Sequence, residues 1–161
     1  MATLGIDVHI EQKFTVFLKK SWFKKIVKKV LDTEGIAPPV EIGVVITDSE
    51  TVQQLNKAYR GKDEPTDVLA FTMLPSTEQE DESPFATPPD GIRHLGEVVI
   101  SYPQAAQQAK EQRHGVEQEL ALLTIHGVLH LLGYDHDQAE ERQRMEAKEK
   151  GVLQKLSFTR G

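Results

Sequence analysis

The sequence predicts an α+β domain, one mixed sheet of about four strands packed with about five helices. Two observations carry this. Short β-branched runs, such as Val-Glu-Ile-Gly-Val-Val-Ile-Thr at 40–47, are interspersed with longer stretches whose apolar residues recur at helical spacing. The 161 residues also suit one buried core, and no internal repeat divides them. Residues 1–161 are therefore read as a single domain. Strand order is not written in such patterns.

Thr3–Ile10 reads as a short strand. Phe14–Leu31 reads as a helix: Leu18, Trp22, Ile26 and Val30 recur every four residues, Phe23 and Val27 widen the stripe, and the lysines fall mainly on the other side. Gly35 and the Pro38-Pro39 pair end that element. Val40–Thr47 reads as a second strand. Asp48 is a natural N-cap, with Thr51 in the first turn of a helix running to about Tyr59. A polar turn over 60–66 leads into a strand at Asp67–Met73. Leu74–Gly91 holds four of the eight prolines, five acids and little periodicity, and reads as a long exposed acidic loop. His94–Ser101 is a strand and Tyr102–Gln112 a helix, broken at His114-Gly115. Val116–Leu132 is a strongly apolar helix, Gly133–His136 a turn, and Asp137 caps a charged helix to about Leu153.

Composition narrows the function. With no cysteine in the chain, disulfides and thiolate metal sites are excluded, and any transition-metal site must use imidazole and carboxylate. No apolar run approaches the ~20 residues of a membrane span. The N-terminus lacks the basic and apolar regions of a secretory signal, so a cytoplasmic protein without a membrane partner is expected. A net charge of −6 argues against indiscriminate polyanion binding. Yet seven lysines and no acid lie between Gln12 and Leu31. Lys20, Lys24 and Lys28 are candidates for tracking RNA phosphates, although a solvated helix face is the usual fate of such a run.

Three of the six histidines fall in His126-Gly-Val-Leu-His130-Leu-Leu-Gly133-Tyr-Asp-His136. The first two are four apart, which on a helix puts them on one face, separated by roughly 6 Å of rise. Gly133 can end the helix in the left-handed conformation, letting the chain return His136 toward the same point. Three imidazoles with an open fourth position are the catalytic form of a zinc site. Either helical histidine alone would read as a hydrogen-bonded core residue; the set of three favours metal. The spacing H-x-x-x-H-x-x-G-x-x-H matches that of the metzincin proteases, with one difference. Where those carry the glutamate that serves as general base, this chain has Gly127. The zinc helix is metzincin-like, and the protease chemistry lacks its proton acceptor.

HGVLHLLGYDH resembles the signature of the YbeY family of bacterial endoribonucleases. The segment Asn56–Phe71 is similar to the family's N-x-x-Y-R-x-K-D-x-P-T-D-V-L-S-F, and Leu95–Ser101 to its L-G-D-I-x-I-S strand, with Ala70 and Glu97 departing from the usual Ser and Asp. The resemblance runs from about Val40 to the final helix. It implies metal-dependent hydrolysis of single-stranded RNA in small-subunit ribosomal RNA maturation and ribosome quality control, with RNA and ribosomal particles or proteins as partners. It also implies one zinc per chain on His126, His130 and His136, and a part in activity for Arg60, which has the geometry to hold a phosphate.

Other residues draw weaker readings. Asp135 is either a carboxylate orienting a ligand imidazole or a turn residue. Asp67 reads as a strand-entry cap and Met145 as a packing residue. Imidazole suits nickel as well as zinc. Two rival functions stand beside the ribonuclease: a ribosome-associated factor with a structural zinc, and a zinc peptidase, which Gly127 disfavours.

Overall fold

The computed structural model describes residues 4–16, 18–64, 66–72, 92–134 and 139–155. Strands β1 (Leu4–Ile10), β2 (Val40–Thr47), β3 (Val68–Thr72) and β4 (Arg93–Ser101) form one sheet in the order β1-β2-β4-β3. β1, β2 and β4 run parallel, and β3 lies antiparallel on β4 at the edge. Helices α1 (Lys20–Thr33), α2 (Ser49–Arg60), α3 (Tyr102–Gln112), α4 (Val116–Leu131) and α5 (Ala139–Lys155) complete the domain. The α+β class and the mixed four-stranded sheet agree with the sequence reading.

Alternation along the strands divides the sheet into two faces. Val44, Ile46, Val98 and Ile100 point into the main core, where they meet Phe23, Ile26 and Val30 of α1 and Leu120, Ile125 and Leu129 of α4. The residues between them, Val45 and Val99, point the other way and join Leu69, Phe71 and the α2 residues Val52 and Leu55. The histidine helix and α2 thus lie on opposite faces, with the edge strand β3 touching both. Val68 and Ala70 pack against the main core, and Leu69 and Phe71 against the α2 side.

Gly96 makes the central pairing possible. Against β2, Glu41 stands opposite His94 and Ile42 opposite Gly96, leaving Leu95 as an extra residue. Gly96 takes φ +130°, and a β-carbon there would run into the Phe71 carbonyl oxygen.

One helix start differs from expectation. The helix read from Phe14 begins at Lys20. Gln12–Phe14 forms instead a short 3-10 turn, and the Phe14 ring packs 4.8 Å from Tyr102 at the start of α3. Phe14 therefore reaches the same core as the α1 stripe from a separate turn, not as a residue of that helix. The Asp48 cap is as expected: its Oδ1 accepts from the Thr51 amide at 2.8 Å. The loop expected over 74–92 lies, up to Gly91, outside the described residues, as do Asp135, His136 and Asp137.

Candidate functional site

Helix α4 is buried over most of its circumference. Its half-exposed positions include Gln118, Leu122, His126 and His130, spaced by four, so the two histidines share the stripe that reaches solvent. Their ring centroids are 4.7 Å apart at 69°. Ile125, Val128 and Leu129 beside them are fully buried and fix the helix against the sheet. This placement differs from that of core histidines sealed among apolar neighbours. It puts two imidazoles side by side at an accessible surface.

Gly127 explains how α4 sits so close to the sheet. A β-carbon at this position would overlap the side chain of Val98, lying 2.9 Å from Cγ2 and nearer still to Cγ1. Val98 is itself buried in the central strand and has no room to retreat. The position that carries the general base in the metzincins is here the point of closest helix-to-sheet approach. The peptidase reading lacks both the carboxylate and the space for one.

The sequence reading missed a third participant, Glu149. Its Oε2 lies 2.7 Å from Nδ1 of His126. A carboxylate only accepts, so Nδ1 donates, and the Nε2 lone pair is the one directed toward other partners. The geometry follows from spacing on α5: Met145, Glu149 and Val152 fall at i, i+4 and i+7, and the two apolar members are buried in the core. An acid embedded in an apolar stripe was the available signal. Met145 is core packing, as expected. Among the described residues, no group of three or more histidine or acidic side chains stands where it could hold a metal ion. The third imidazole named from sequence, His136, lies outside them, and so does Asp135.

The turn after α4 is anchored from two helices. Gly133 takes φ +106°, and the Tyr134 hydroxyl donates to Glu34 Oε1 at 2.6 Å across the molecule. Glu34 caps the end of α1, and its buried Oε2 has the Lys148 ammonium 3.1 Å away, an ion pair whose alignment falls short of a hydrogen bond. The carboxylate raises the Tyr134 phenol above its usual range, chiefly by accepting its hydrogen bond and secondarily with help from burial. The same carboxylate raises Lys148 by direct contact and by its charge.

A cavity of about 250 Å³ opens beside His126, between the start of β3, α4 and α5, and is lined by Asp67, Val68, Leu122, Leu123, His126 and Glu149. A larger one, about 400 Å³, lies on the other sheet face among Asp7, Glu41 and Glu97. Its carboxylates suit a phosphate poorly.

Arg60 ends α2 and is exposed. It lies in the α2 layer, so the structure does not bring it into contact with the histidine pair among the described residues. Lys20, Lys24 and Lys28 are all exposed on α1, and Lys28 pairs with Asp32 at 3.0 Å. Asp67 stands at the entry of β3, where its carbonyl accepts from the Ser101 amide.

Fold and site together define an α+β protein with a buried helix that presents two imidazoles one turn apart, one of them braced by a carboxylate. The chain belongs to the YbeY family, whose model, described as Endoribonuclease YbeY, matches residues 6–157. It is 40% identical over 156 residues to Endoribonuclease YbeY of Roseiflexus sp. (strain RS-1), covering 96% of this chain and 94% of the relative. To the protein of that name from Dehalococcoides mccartyi (strain BAV1) it is 48% identical over 135 residues, covering 83% and 84%. The solution structure of a Thermotoga maritima protein, TM1509, is similar in fold, with a TM-score of 0.59 at 24% identity over 94% of this chain and 91% of that one.

Proposed function

We propose that this chain is a zinc-dependent endoribonuclease that cleaves single-stranded RNA in the maturation of small-subunit ribosomal RNA, acting in the cytoplasm on ribosomal particles. The observation that carries the metal assignment is the carboxylate brace. Glu149 fixes one tautomer of His126, and His130 lies 4.7 Å away on the same accessible stripe. That is the donor chemistry a borderline cation such as zinc takes, with the outer carboxylate that usually accompanies it. His126, His130 and His136 would hold the ion, one per chain. Held there, the ion would supply Lewis acidity toward a phosphoryl oxygen.

The remaining work falls to the protein. Glu149 keeps the His126 ring turned and its proton on Nδ1. Arg60 binds a phosphate of the substrate through paired donors and offsets its charge. The exposed lysines of α1, Lys20, Lys24 and Lys28, add sequence-independent attraction for the strand. No helix among the described residues is long and apolar enough to cross a membrane.

The test uses purified chain in metal-free and zinc-reconstituted forms. Cleavage of single-stranded RNA should vanish on chelation and return with zinc, while casein stays intact. His130→Ala should lose both metal and cleavage. Arg60→Ala should keep its metal and lose roughly 10- to 150-fold in kcat/KM, the range for a charged hydrogen bond. Full cleavage by verified metal-free chain would refute the assignment. Unchanged kinetics in Arg60→Ala would remove that residue from the site.

A further inference from the structure

We infer that Tyr59 and Arg60 form a base-stacking and phosphate-binding step for single-stranded RNA, beside edge strand β3 on the sheet face opposite the histidine pair. The inference rests on the reading that the chain acts on RNA, and to the phosphate contact that reading gives Arg60 it adds a base-stacking ring, Tyr59.

Tyr59 is 70% exposed, and among the described residues only Val16 is another large apolar side chain so exposed. Its ring is not loose. It stands edge-on to Phe71, with centroids 5.3 Å apart at 67°, and Phe71 packs onto the cluster of Val52, Leu69 and Val99. An aromatic ring held on one side and open on the other is a platform whose ordering is already done before a ligand arrives. The backbone around it is also fixed. Gly61 ends α2 in the left-handed conformation at φ 72°, and Asn56 Nδ2 donates to the Glu64 carbonyl at 3.0 Å, tying the following turn to the helix.

The charges beside the ring are available to an anion. The side chains of Arg60 and Lys62 are exposed and, like Lys20 and Lys24 of α1, make no ion pair among the described residues, whereas the nearby Lys57 is held by Asp63. An exposed guanidinium one residue along the helix from an open aromatic ring offers the two features that repeat along a single strand, a phosphate contact and a base contact, on neighbouring directions of the helix. A duplex keeps its base faces stacked and cannot use the ring, so the pair also selects for unpaired RNA.

The position suits one continuous strand. Asp67 and Val68, at the start of β3, line the cavity that holds His126. Phe71 lies three residues further along, roughly 10 Å at the rise of an extended strand. β3 is the outermost strand of the sheet. Among the described residues no strand lies outside this edge, so RNA entering the cavity can cross it and reach Tyr59.

The test is binding and cleavage of an oligouridylate by zinc-loaded wild type, Tyr59→Phe and Tyr59→Leu, with metal content and melting temperature measured on each. Tyr59→Phe should match wild type. Tyr59→Leu, which keeps an apolar contact with Phe71 but has no π face, should weaken binding about 5- to 150-fold, the equivalent of one lost stacked base. KM should rise while kcat at saturation is kept, because the ring lies on the other face of the sheet from the histidine pair. The preference for a single strand over a hairpin of the same composition should shrink by a similar factor, which a general loss of stability would not produce. Wild-type affinity and preference in Tyr59→Leu would overturn the inference and leave the patch to a protein partner, with the ribonuclease reading intact. A zinc-loaded wild type that neither binds nor cleaves RNA would overturn both.

Discussion

The two faces of the sheet are built on different terms. On one, α4 is pressed against Val98 through Gly127, His126 is braced by Glu149 of α5, and the turn after α4 is anchored by the Tyr134 bond to Glu34 of α1. Each of these contacts joins residues far apart in the chain. On the other face, α2 covers a small cluster of Val52, Leu69 and Val99, is tied at its start by Ser49 to Ser101 and by Asp48 to Lys13, and leaves Tyr59, Arg60 and Lys62 at its far end in solvent. The first arrangement fixes donor atoms in space, as a metal centre requires. The second leaves side chains uncommitted for a ligand. Catalysis on a long polymer needs both, a rigid centre and an adaptable surface, and β3 is the element that touches each.

The comparison can be broken most forcefully at Gly127. Gly127→Glu restores the residue type of the protease motif, but it places a charged side chain against the buried Val98. It should destabilise the fold by at least about 3 kcal/mol, and it should create no peptidase. Gly127→Ala isolates the steric part. Alanine favours helix by about 1 kcal/mol over glycine, so on propensity alone the variant would be more stable. Overlap with Val98 should reverse that sign, and adding Val98→Ala should recover stability. Chemical denaturation of the three variants decides the matter. A stabilised Gly127→Ala single variant would show that α4 is not clamped against the sheet.

Glu149→Gln is the next largest. The amide can turn its oxygen to Nδ1 of His126 but brings no charge. Weakened orientation of the imidazole should cost about 10- to 100-fold in zinc affinity, with Gln milder than Ala. Competition with a chromophoric chelator reads this directly, without an activity assay. The affinity of the metal-free chain for oligouridylate should stay as in wild type, since Tyr59 and Arg60 are on the other side of the edge strand. Equal zinc affinity in Glu149→Gln and Glu149→Ala to that of wild type would reduce the contact to simple packing.

The same division decides what could be read from the sequence. Contacts within one element were legible. The Asp48 cap, the Val40–Thr47 strand and the Tyr102–Gln112 helix follow from local pattern and are placed as expected. The spacing of His126 and His130 also gave their shared face. What joined distant segments was not legible. Glu149 sits 23 residues beyond His126, in a helix whose charge masks the acid on its apolar stripe. Gly127 was read as a missing base, while its closeness to Val98 depends on a strand order that periodicity does not encode. Phe14 reads as the start of the helix that follows, yet it lies in a separate 3-10 turn with its ring against Tyr102. Arg60 was grouped with the histidines by resemblance alone, and the topology sets it on the opposite face.

The smallest effect belongs to the cap of α2, and its pH dependence tests whether the two faces are independent. The Thr51 amide is the main cause holding the Asp48 carboxyl below its usual range, with the Lys13 ammonium 3.4 Å away as a lesser one. A carboxyl depressed in the folded state stabilises fully above its unfolded value, and that contribution is lost as pH falls through the folded value. Asp48→Ala should therefore cost about 1 kcal/mol at neutral pH, and its deficit against wild type should shrink below about pH 4. Asp48→Asn keeps a capping oxygen that does not titrate, so its stability should change less over the same range. Because the partners of Asp48, Thr51 and Lys13, lie outside the histidine helix, zinc affinity in Asp48→Ala should equal that of wild type. A weaker metal site in that variant would mean that strain at α2 passes through β3 to the histidine helix, and the two faces would have to be treated as one cooperative unit.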